Sequence, residues 1–216
     1  MGKRIQGVQS YQAEFPDEQR RRRAYDLAWE IRKFEIDLYW KRATYFWTLL
    51  AATFAGYFAL ASEQSVAQHP ILLFLASCIG LVLSTSWYLV NRGSKYWQEN
   101  WERHVDSLED EFVGPLYKTT ISTEQFRWWE FWGGYPFSVS KVNQLTSLFI
   151  ALVWLALAIS SFPSSHRPKC LIAARPYGLA ALTFLFLCLL ICLGRTGAQG
   201  KDRTVDFHKS DLTPLT

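Results

Sequence analysis

The chain has 216 residues, half of them hydrophobic and 16% aromatic, with 23 Lys and Arg against 19 Asp and Glu. A formal charge of +4 spread over acidic and basic segments alike excludes strong, nonspecific nucleic-acid binding, which needs a concentrated positive face. The apolar residues come in blocks and do not follow one period throughout, which argues against an ordinary soluble domain.

After an N-terminal tail (1–16), Asp17 behind Pro16 caps a helix over 17–42. Its apolar positions Ala24, Leu27, Ile31, Phe34 and Leu38 recur at heptad steps, and Arg20, Arg21, Arg22 and Arg23 form a basic run near its start. A first block without charge covers 43–62, with Ala51, Ala52, Ala55 and Gly56 spaced for close helix packing. A second covers 71–90 and carries Gly80 and Ser84 as small packing positions. Its helix is predicted to continue over 91–115, since Trp97, Trp101, Val105, Leu108 and Phe112 keep one face until Gly114 and Pro115 stop it. Segment 116–141 holds the run "FRWWEFWGGYPFSVSK". Charge-free blocks over 142–162 and 177–194 follow, then a tail (195–216) read as flexible.

Crossing about 30 Å of hydrocarbon takes roughly 20 helical residues, so the four blocks read as four transmembrane helices. Twenty of the 23 Lys and Arg lie before the first span, between the second and third, or after the fourth, which places both termini in the cytoplasm. Arg167, Lys169 and Arg175 stand on the opposite side. The fold class is therefore all-α: a four-helix transmembrane protein whose first two helices extend into the cytoplasm as an antiparallel pair. In that pair the four arginines and the run Glu109, Asp110 and Glu111 fall at the same depth, about 30 Å from the membrane, so the two runs are expected to pair. The other reading of Arg20 to Arg23 is a contact for an acidic ligand or a cytosolic partner protein.

Tryptophan favours the headgroup level of a bilayer. Trp40, Trp47, Trp87, Trp128, Trp129 and Trp132 are accordingly read as interfacial anchors on the inner leaflet, with Ser138 or Ser140 capping the third span. No cofactor or metal is predicted: Cys78, Cys188 and Cys192 lie in spans, Cys170 is alone on a loop, and no ligand spacing recurs. The carboxylates Glu99, Glu102, Asp106 and Glu109 with His104 read as a solvated face, since a second helix bearing partner carboxylates is missing. No motif for catalysis is present, and the absence of ionisable residues in the spans argues against ion-coupled transport. Ser77, Ser84, Thr85 and Ser86 read as hydroxyls bonded to the preceding helical turn, a wet path lined by several copies being the alternative.

The strings "YWKRATYFW" (39–47), "FAGYF" (54–58), "WYLVNRGSKYWQENWERHVD" (87–106) and "FSVSKVNQLTS" (137–147) resemble the RipA family of octameric bacterial inner-membrane proteins. The chain from Phe162 onward adds nothing to that resemblance. It implies a bacterial inner-membrane location, assembly of copies of the chain into an octamer, and no established catalytic residue. The layout alone is similar to the small helical membrane effectors of anti-phage systems of the SLATT type. Together these readings give a membrane platform or gated pore that responds to a cytoplasmic signal; the alternative is a non-conducting scaffold that recruits a cytosolic partner.

Overall fold

The computed structural model describes residues 4–62, 70–117, 119, 137–162, 174–193 and 206–208. Trp128, Trp129 and Trp132, and with them the anchor read into that stretch, lie outside the described residues.

The fold is helical: α1 (Val8–Gln12), α2 (Glu18–Ser62), α3 (Pro70–Leu108, tightened into a 3-10 turn over Glu109–Glu111), α4 (Val139–Ser160) and α5 (Ala174–Leu193). A two-stranded antiparallel ribbon, β1 (Arg4–Gln6) with β2 (Asp206–His208), is added to it, so part of the segment read as a flexible tail is paired. Asp17 caps α2 by accepting the Arg20 N–H at 2.7 Å, and Ser138 caps α4 by accepting that of Lys141 at 3.4 Å. Past α3, Gly114 takes a positive φ of 72°, a conformation open to glycine at little cost.

Among the described residues, three helices are long and apolar enough to cross a membrane: α2, α3 with its 3-10 turn, and α4. The fourth block forms α5, whose apolar core Pro176–Cys188 is shorter than a span.

The chain divides into two compact units. The first contains Met1–Ile36 and Trp97–Gln125, and its core forms where Tyr11 and Leu108 meet Phe15, Ala24 and Tyr25. The second contains Asp37–Tyr96 and Phe126–Thr196. There Leu50, Trp87 and Trp154 are surrounded by Phe46, Phe54 and Tyr57 of α2 and Ile150 and Leu157 of α4, while Leu179 and Ala180 of α5 pack on Phe74, Cys78 and Ala158.

Candidate functional site

In the first unit α2 and α3 run antiparallel and are joined by charge. Arg21 donates from Nε and Nη2 to both oxygens of Glu111, at 2.7 and 2.9 Å, and from Nη1 to the Phe15 carbonyl at 2.9 Å. This fork-to-carboxylate geometry is the specific arginine pairing, and the hydrogen bond to Glu111 raises the Arg21 pKa. Of the four arginines, Arg21 is the one brought to the acidic run. Arg20 turns back to Asp17 at 3.2 Å, and Arg22 and Arg23 are exposed and make no ion pair among the described residues. Glu109 does not face the arginines as a solvated charge. It is 1% exposed and accepts the backbone N–H of Tyr117 at 2.7 Å, holding the chain where it leaves α3.

Eleven residues along α2 from Arg21, Arg32 lies over the rings of Trp29 (5.4 Å) and Tyr117 (4.8 Å) and reaches Glu102 at 3.5 Å. Its Nε has no hydrogen-bond partner among the described residues. Burial first, and then the Glu102 carboxylate, raise the pKa of Tyr117. The short α1 docks on α3 through a 2.7 Å hydrogen bond between Tyr11 Oη and His104 Nδ1, and through Gln12 donating to the Ser107 carbonyl at 2.9 Å. Burial pushes the Tyr11 phenol up to about 12 and lowers the pKa of His104. His104 thus belongs to a packed contact with Tyr11 and with Trp101, whose ring is 5.2 Å away.

In the second unit a polar cluster joins three helices where α2 enters, α3 leaves and α4 enters its apolar block. Asn143 Nδ2 of α4 donates to Tyr39 Oη of α2 at 2.6 Å and to Asn91 Oδ1 of α3 at 3.4 Å. Asn91 in turn donates to Ser147 Oγ at 3.4 Å, and Arg42 to Ser94 Oγ at 3.1 Å. Tyr39, Asn91, Ser94 and Ser147 are all buried. Sequence reading missed this cluster, although Asn91, Ser94, Asn143 and Ser147 all stand at the ends of charge-free blocks, where one depth is shared.

The predicted packing residues divide. Gly80 is a notch for Trp154: a Cβ placed there would stand 2.2 Å from the indole. Ser84 is fully buried and donates to the Gly80 carbonyl at 2.7 Å, as Ser77 does to that of Leu73 at 2.8 Å. These hydroxyls face the core of one chain. Ala51, Ala52, Ala55 and Gly56 instead lie exposed on α2, and a Cβ at Gly56 meets nothing within 4 Å. Among the expected interfacial anchors, Trp40 and Trp47 are exposed. Trp87 is a correction: it is 3% exposed, packed between Leu50 and Trp154 and edge-on to Trp47 at 6.3 Å, because its position on α3 turns it inward. The indole N–H groups of Trp87 and Trp154 have no partner among the described residues. Among the described residues no group of three or more His, Cys, Asp or Glu is placed to hold a metal ion.

The arrangement is one of helix pairing around apolar spans, and a comparison with protein families gives it a home: residues 22–163 match the model of the Octameric membrane protein family (8xMP). The chain belongs to this family. The match begins within the arginine run, one residue after Arg21, and ends just past α4, so it spans the Arg32–Glu102 pair, the polar cluster and the Gly80–Trp154 notch, and leaves out α1, Arg21 and α5. The octameric membrane family fits the resemblance read from the sequence, while the name RipA is not confirmed. No curated protein and no solved structure matches the chain.

Proposed function

We propose that this 8xMP protein is a homo-oligomeric platform or gated pore of the bacterial inner membrane, whose cytoplasmic helix pair receives a signal that the spans answer. The observation that carries this reading is that α2, of 45 residues, and α3, of 39, each hold a charged, ion-paired section and an apolar section in one uninterrupted helix. A stiff rod is a physical means of carrying a displacement from one end to the other. We take α5 as a fourth span, since its 20 residues rise about 30 Å, and both termini as cytoplasmic from the bias of Lys and Arg. We read the chain as non-enzymatic. Membrane depolarisation on expression, and dye release from vesicles holding the purified protein, support the pore; an inert membrane under every applied stress overturns it.

A scaffold that recruits a cytosolic partner is the second reading, favoured by the exposure of Arg22 and Arg23 without an ion pair among the described residues. Replacing both by alanine leaves the Arg21–Glu111 pair in place. A partner lost from pull-downs with that variant supports the scaffold, and an unchanged set of captured proteins opposes it.

A further inference from the structure

The face that α2 turns toward α3 in the first unit carries Arg21, Tyr25, Ala28 and Arg32, whereas Leu27 and Phe34 of the apolar heptad point elsewhere. Leu27 and Phe34 are 54% and 57% exposed, Tyr45 is 72% and Leu49 50% exposed, and Ala52 and Gly56 are open. Along the helix these six recur at steps of 7, 11, 4, 3 and 4, combinations of three and four that return to one face at about 100° per residue. Lipid can cover the last four. It cannot cover Leu27 and Phe34, which lie 16 and 9 residues before Ala43, roughly 24 and 14 Å outside the apolar block. A stripe with this spacing accepts a helix.

We infer that the stripe receives α3 of a second copy of this chain, packed antiparallel against it around a closed ring. The inference rests on the homo-oligomeric reading above. Charge supports the choice of α3. Counted from the Arg32–Glu102 pair, Glu30 lies two residues further from the spans on α2 and Arg103 one residue further on α3, so their depths agree within about 1.5 Å. Both side chains are exposed, and neither makes an ion pair among the described residues. A ring whose axis follows the membrane normal keeps every copy at one depth, so Glu30 of one copy meets Arg103 of the next. On α3, Ile79 and Gly93 are exposed 14 residues apart on one face, and Arg103 stands about 80–120° round the helix from them, at the flank of that face. Gly56 and Ala52 let the two backbones approach closely within the bilayer.

The test uses the full chain in membranes, with the photo-crosslinking residue benzoylphenylalanine in place of Phe34 or Tyr45 and, as off-stripe controls, of the exposed Lys33 or Phe58. The stripe positions give an adduct at twice 25.0 kDa whose attached peptide comes from α3, and the controls give none. The charge variant E30R lowers the Phe34 adduct about two- to fivefold, and E30R with R103E restores it. Adducts equal at all four positions, or peptides from α4, overturn the proposal. Native mass spectrometry separates the two levels. A monomeric wild type removes the homo-oligomeric reading and this proposal with it, whereas an intact ring without a Phe34 adduct removes only the assignment of the face.

Discussion

Two glycines in the spans are expected to answer the same substitution in opposite ways. At Gly80 an added Cβ would stand 2.2, 2.3 and 2.5 Å from three atoms of the Trp154 indole, far inside van der Waals contact, and Trp154 is 0% exposed. Overpacking of this kind costs about 1–3 kcal/mol. Removing a mid-helix glycine returns about 0.5–1 kcal/mol, so G80A is expected to lose on the order of 1–2 kcal/mol net. In a chain of this size that lowers a thermal midpoint by roughly 2–8 °C. At Gly56 nothing of the same chain stands within 4 Å, so G56A keeps the helix gain in the separated chain, and any loss in the assembled protein reports the close approach between copies inferred above. The assay is thermal unfolding of the detergent-solubilised protein, followed by tryptophan fluorescence. A smaller side chain without a ring should relieve the clash, so G80A in a Trp154→Leu background loses less than G80A alone. A G80A midpoint equal to or above wild type would refute the notch, and with it the placing of α4 against α3.

Charge reversal at either end of the Arg21–Glu111 pair, R21E or E111R, is expected to raise amide hydrogen exchange in the ion-paired sections of α2 and α3, with the double swap restoring it; unchanged exchange in both single variants contradicts the pair. For His104, burial lowers the folded pKa below the ordinary 6.5, so the folded state favours the neutral imidazole. Its contribution to stability is complete above pH 6.5 and declines as pH falls below it, because the unfolded chain then binds the proton first. Protection of the α1 amides, measured relative to the intrinsic exchange rate at each pH, is therefore expected to fall between pH 7.5 and 5 in wild type and to change less in H104Q; an equal fall in both opposes the assignment. Y39F removes the acceptor of the 2.6 Å bond from Asn143 and is expected to cost about 0.5–1.5 kcal/mol in the same thermal assay. A Y39F midpoint at or above wild type would count against the polar cluster.

The long helices were legible because hydrophobic block length and charge density are read one residue at a time. Depth was legible as well: two antiparallel helices that rise equally per residue put residue 21 opposite residue 111 by counting alone. Which of four consecutive arginines would pair was not, because adjacent residues differ by about 100° around the axis and only the face toward α3 decides. Leu27 and Phe34 of the apolar heptad lie off that face, although Ala24 of the same heptad packs with Leu108. The seam used within the chain is marked by Arg21, Tyr25, Ala28 and Arg32, a mixed polar and aromatic set that hydrophobic periodicity does not reveal. Trp87 was misread for a related reason. Its type and depth suit a headgroup anchor, yet its phase on α3 buries it between Leu50 and Trp154. The Asn91–Asn143 contact joins residues far apart in the chain, and one sequence carries no sign of which polar groups at a shared depth will touch.

The central claim, a membrane protein that assembles with copies of itself, is tested most directly by native mass spectrometry of the intact complex released from gentle detergent. The account predicts a single closed species of eight chains, roughly 200 kDa at 25.0 kDa each, in keeping with the octameric family. A monomer or dimer as the dominant species would contradict it.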